Sequence, residues 1–174
     1  MFGDIYESKK ATVFRIMAAT LFMVLARDSI LNFFYDDFSF LSVICLISSL
    51  LLLIGLLIEI KPIIVSGNLF MIICYIAKTI NGSLPISLVF IIPYVFTIIT
   101  ILICTSNKLI IKNGTKPLGY FATVFLIVAF IIQHCFSTHA FNPKDILYIL
   151  VYNIPQIFSV AFMNLWNIEV SKEN

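Results

Sequence analysis

The polar residues within the apolar stretches of this chain are the ones that could do chemistry, and amides stand out among them. Asn153, Gln156, Asn164 and Asn167 fall in its last apolar stretch. At about 100° per helical residue they lie within about 80° of one another. Amides donate and accept hydrogen bonds without carrying charge. A face of four can therefore bond to neighbouring helices, or wall a solute site or pore. Lipid cannot hydrogen-bond such groups, so that face must look at protein or water. The stretch before it holds Gln133 and His134, with Thr123 on the His134 face. His134 reads as a hydrogen-bonded structural group or as a ligand or proton group. No carboxylate or cysteine arrangement near it or His139 completes a metal site. Earlier stretches contribute Asn68, Tyr75 and Lys78, and Thr20, Arg27 and Asp28. Lys78, Arg27 and Asp28 can also snorkel to a membrane surface.

Other chemistry is missing from the pattern. Between Asp37 and Asp145 the one acidic residue is Glu59, beside Lys61. A carrier driven by protons or sodium usually needs a carboxylate at mid-membrane. No P-loop, nucleophile elbow, H-E-x-x-H or paired carboxylate occurs. The expectation is a protein that is not an enzyme and holds no cofactor and no metal. The cysteines Cys45, Cys74, Cys104 and Cys135 sit in four different stretches with no C-x-x-C, so they read as small apolar residues.

The elements that must position these groups follow from composition. Of 174 residues, 61% are hydrophobic and 11% charged, with a net charge of +2. A soluble domain is about 45–50% apolar and about 25% charged. Both a soluble fold and disorder are excluded, and so weak a positive charge argues against nucleic acid. The reading is all-α, a polytopic membrane protein in one domain over 1–174. Six spans of about 20 residues are expected at 11–34, 40–60, 62–80, 84–106, 119–137 and 146–168. The first span follows Lys9 and Lys10 like a signal peptide. Arg27 and Asp28 follow it rather than a small-residue cleavage site, so it is expected to stay. Pro93 and Pro155 should kink their helices.

Charge sets an orientation. With both ends cytoplasmic, Lys9, Lys10, Arg15, Lys61, Lys108, Lys112, Lys116 and Lys172 fall inside. Arg27, Lys78 and Lys144 fall outside, a split of eight to three that follows the positive-inside rule. Trp166 and Tyr120 then sit near the inner boundary as interface anchors. Arg27, Asp28, Tyr75, Lys78, Gln133, His134, Asn153 and Gln156 all fall in the outer half, which suits an outward-facing polar pocket. Abundant Ile, Phe, Asn and Lys point to an AT-rich bacterial coding sequence, and so to the bacterial cytoplasmic membrane. The sequons at Asn81 and Asn113 carry no weight there, the second facing the cytoplasm in this arrangement.

Segments 88–97 and 150–159 are identical at five of ten positions, Pro93 aligning with Pro155. Transporters are often built from repeats with broken helices at the binding site, although chance similarity of two apolar helices is the alternative. The Pro155-Gln156 pair resembles the signature of PQ-loop sugar transporters, without their three-helix repeat. With six glycines and no G-x-x-x-G, large Ile, Leu and Phe side chains should dominate the helix contacts.

Two functions are expected. One is a non-enzymatic membrane subunit (a sensor, scaffold or pore) acting with copies of itself, a cytosolic protein, or both. The cytosolic surface would be Lys108, Lys112 and Lys116, whose charge attracts an acidic partner. Bacterial defence systems employ small membrane proteins of this size, Kiwa-type anti-phage systems among them. The other is a solute-binding subunit of an importer. In length and span number the chain is similar to the S components of energy-coupling-factor importers. That resemblance implies solute binding near the outer face and an ATPase partner. The A-x-x-x-A motif of those proteins is absent from the first span, where Phe22 and Met23 stand four residues after Ala18 and Ala19.

The orientation is testable by labelling from each side. In a cysteine-free background, Asn113→Cys and Pro143→Cys should react with an impermeant maleimide from opposite sides. Same-side labelling contradicts six spans with both ends inside.

Overall fold

The structure is a computed structural model describing residues 9–35, 40–80, 85–105, 115–138 and 143–173, all helical or in tight turns, with no strand among them. Helix α1 spans Lys9–Tyr35, α2 Phe40–Leu57 and α3 Lys61–Ile80. A 3-10 segment, Pro85–Phe90, leads into α4, Ile91–Thr105. Then come α5, Thr115–Thr138, α6, Pro143–Tyr152, and α7, Ile154–Glu173. Four stretches are long and apolar enough to cross a membrane: Phe40–Leu57, Lys61–Ile80, Leu88–Thr105 and Pro117–Phe136. A fifth is added if α6 and α7 form one bent span. The 27-residue α1 is not among them; it carries Arg15, Arg27 and Asp28.

Successive helices form a bundle in which α1 lies between α2 and α7. It meets α7 with Phe14 stacked on Phe162, ring centroids 6.0 Å apart. Helix α7 also packs on α4 and α5, which closes the ring. One core cluster gathers Ala18, Phe22, Leu52, Ile64, Met163 and Trp166. A second gathers Phe90, Tyr94, Leu126, Phe130, Ile157 and Val160. Met71 packs against both. Trp166, expected at a membrane surface, is instead only 1% exposed, whereas Tyr120 is exposed.

Small residues matter more than the sequence reading allowed. Ala11 and Ala18, Ala19 and Ala26, and Ala122 and Ala129 are all buried. Each pair is seven residues apart, the spacing of a left-handed crossing rather than of G-x-x-x-G. Helices α2 and α3 approach more closely still. A Cβ on Gly67 would stand 2.7 Å from Leu52 Cγ, and one on Gly55 2.7 Å from Ile64 Cγ1. Ser48 donates to the Gly67 carbonyl at 2.8 Å across the same seam.

The α2–α3 turn also holds an ion pair. Glu59 has a φ of 59°, the left-handed geometry with which helices commonly end, usually at glycine. Its carboxylate pairs with Arg15 of α1. That ion pair joins the start of α1 to this turn.

The two spans expected at 84–106 and 146–168 are both interrupted. Helix α6 and the Ile154–Ser171 part of α7 are bent by 59°, with Asn153 at the corner. Pro155, second in α7, has no N–H to continue the ladder into α6. In the other span the 3-10 segment gives way at Ile91, leaving Pro93 in the first turn of α4, where proline is tolerated. Superposing the repeat aligns Phe90-Ile91 with Tyr152-Asn153. The two interruptions thus fall at the same register.

Candidate functional site: a polar crevice over an amide–tyrosine network

Three helices meet below the interruptions through one amide. Gln156 of α7 donates from Nε2 to the Tyr75 hydroxyl of α3 at 3.0 Å and to the Tyr94 hydroxyl of α4 at 2.7 Å. Tyr94 and Gln156 are aligned positions of the repeat, so its two copies bond to each other here. Aromatic packing fixes the rings. Tyr75 stacks on Phe90 at 4.9 Å and on Tyr94 at 5.8 Å, and Phe90 meets the edge of Phe130 at 5.0 Å. Lys78 places Nζ 5.3 Å from the Tyr75 ring centroid, a cation–π contact one helical turn away.

Above this network lies a crevice of about 330 Å³, lined by Phe130, Gln133, His134, Ile149 and Asn153. Phe130 belongs to both crevice and aromatic cluster. The bend at Asn153 brings the α6 residue Ile149 and the corner amide to face α5. Asn153 is held there by donating to the Ile149 carbonyl at 2.9 Å. The polar groups of this lining are two amides and an imidazole, able to donate and accept hydrogen bonds. Among the described residues no group of three or more His, Cys, Asp or Glu is arranged to hold a metal.

A second polar group lies further along α7. Asn164, 2% exposed, donates to Thr97 Oγ1 of α4 at 3.1 Å. Asn167 donates to the Met163 carbonyl at 2.9 Å. Asn68 of α3 donates to the Ile64 carbonyl at 2.8 Å and lies 4.0 Å from Met163 Sδ. The Oδ1 atoms of Asn68, Asn164 and Asn167 accept no hydrogen bond among the described residues. Each is a buried oxygen able to accept a hydrogen bond from a small donor.

The amide stripe of the last span thus divides. Asn153 walls the crevice, Gln156 and Asn164 bond to neighbouring helices, and Asn167 bonds to its own helix. Of the expected site residues, Tyr75, Lys78, Gln133, His134, Asn153 and Gln156 are brought together around crevice and network. Arg27 is exposed on α1 and does not line the crevice. The Asp28 and Lys116 side chains, and Lys108 and Lys112 altogether, lie outside the described residues, as does Asn81 and most of the Asn113 sequon. Tyr94 and Thr97 had not been singled out. The repeat aligns Tyr94 with its partner Gln156, whereas nothing in the sequence linked Thr97 to Asn164.

No family model, no curated protein and no solved structure matches this chain.

The network predicts coupled energetics. Gln156→Leu leaves two hydroxyl oxygens without the N–H that donates to them and should cost about 1–3 kcal/mol. Tyr94→Phe should cost about 1 kcal/mol. In denaturant titrations of mixed micelles, the double variant should lose less than the sum of the single losses. Strict additivity would contradict the Gln156–Tyr94 bond.

Proposed function

We propose that the protein is a non-enzymatic subunit of a bacterial cytoplasmic membrane that takes a small uncharged polar ligand in its crevice and works in a complex. The observation that carries this reading is the placement of Gln133, His134 and Asn153 around one crevice, over a network that joins three helices. Its volume is near the lower end for ligand pockets. Amide and imidazole groups would select a ligand by its hydrogen bonds, with Phe130 offering an aromatic face.

In the membrane we propose six passes with both ends cytoplasmic, α1 being the first and the α6–α7 pair the sixth. The charge split supports this orientation. It places the crevice at the outer surface and Lys108, Lys112 and Lys116 at the inner one, where an acidic cytosolic protein would dock. We propose no enzymatic step, cofactor or nucleic-acid partner. Coupling of the ligand to transport or to a signal would come from the complex.

A second reading, a scaffold or sensor of a defence system built from several copies, is favoured by α6. That helix is ten residues long and exposes Leu147, Tyr148, Val151 and Tyr152 together. Such a face suits contact with another copy or an aromatic belt at the membrane surface.

Native mass spectrometry of the protein released from its own membranes tests the proposal. A small adduct should accompany the wild type and be lost from Gln133→Leu/Asn153→Leu, with the same assembly mass. If the wild type carries no adduct and acquires none from nucleosides, sugars or neutral vitamins, ligand binding is contradicted and the scaffold reading stands.

A further inference from the structure

The two thiols of the α2–α3 hairpin face each other, and neither the crevice nor the amide–tyrosine network uses them. Cys45 Sγ and Cys74 Sγ are 2.6 Å apart, although the residues are 29 positions apart in the chain. The short turn at 58–60 and the glycine-lined seam with Ser48 on Gly67 hold the two helices in this register. The separation decides between the chemistries open to two thiols. A tetrahedral zinc with thiolate bonds of about 2.3 Å needs its sulfurs about 3.8 Å apart. A disulfide needs about 2.05 Å. At 2.6 Å the sulfurs are closer than unbonded thiols pack, and nearer the disulfide length than the zinc-bound separation.

Their place in the fold selects the oxidant. Cys45 is the sixth residue of α2, and Cys74 is six residues before the end of α3. At about 1.5 Å per residue, both lie about 8–9 Å inside the helix ends, within the apolar layer. Cys74 is buried and Cys45 half-buried. An oxidant reaching Cys45 there must dissolve in lipid.

We propose that Cys45 and Cys74 are a redox-active dithiol that closes to a disulfide between α2 and α3, with a lipid-soluble quinone as the electron acceptor. Two S–H bonds break and one S–S bond forms. The two electrons and two protons pass to the quinone carbonyl oxygens, which become the two hydroxyls of the quinol. The product ties α2 to α3 one residue from Tyr75, and so clamps the helix that presents Tyr75 to Gln156. The inference does not depend on the proposed ligand.

The test uses the full chain in lipid nanodiscs under anaerobic conditions, with a short-chain quinone as probe. One equivalent of quinol should form per chain, and the product should be lighter by two hydrogens. Peptide mapping of the wild type should recover Cys45 linked to Cys74. Cys104→Ala/Cys135→Ala should behave as the wild type does, and Cys45→Ser should form no quinol. If quinone leaves both thiols alkylatable after denaturation, the proposal is overturned. It is overturned equally if the aqueous oxidant diamide closes the pair and quinone does not. Because mapping is done on the unsubstituted chain, a misfolded variant does not obscure the result.

Discussion

An amide inside an apolar bundle has to find its hydrogen-bond partner in the protein, and this constraint ties α7 to α3 and α4. Gln156 is half-buried, and the Tyr75 and Tyr94 hydroxyls come to it from two other helices. Asn164 meets the same demand through Thr97. These bonds fix the rotation of α7 about its axis, because turning it would strand both amides at once. With that rotation set, Ile157 and Val160 point into one core and Met163 and Trp166 into the other. The bend before α7 then leaves Asn153 at the crevice rather than in the bundle.

The rest of the bundle is set by how closely backbones can approach. Lipid tails are as apolar as leucine, so helices in a bilayer associate through packing and hydrogen bonds rather than by escaping water. Alanines seven apart on α1 and α5 and glycines on α2 and α3 supply that packing. The Arg15–Glu59 pair secures the otherwise more polar α1 at the α2–α3 turn. The same tight α2–α3 seam brings Cys45 to Cys74.

Much of this was legible in the residues. Unbroken apolar runs marked the helices to within a few positions, and Pro155 marked the bend. The amide stripe was legible by periodicity, but its partners were not. Helical spacing says which residues share a face and nothing about which helix that face meets. The same limit hid the Cys45–Cys74 approach and the Arg15–Glu59 pair, both contacts between residues far apart in the chain. Trp166 misled for another reason. A tryptophan near the end of a span reads alike whether it faces headgroups or, as here, is buried in the core with α1. The alanine seams were passed over because small residues were sought four apart, the period of right-handed crossings, and these recur at seven. The two interruptions fall within the ten-residue similarity of segments 88–97 and 150–159.

The central claim is that the amide face of α7 is enclosed by protein, with neither lipid nor a water-filled pore beside it. Carbene footprinting of the unsubstituted chain in a bilayer tests it directly, using one lipid-soluble and one water-soluble diazirine. Exposed residues such as Phe158, Leu102 and Val124 should take the lipid-soluble label. Met163, Asn164, Trp166 and Asn167 should stay unmarked by both. Lipid-soluble label on Asn164 or Asn167 would mean that the face looks outward, and water-soluble label there would mean an open pore; either contradicts the account.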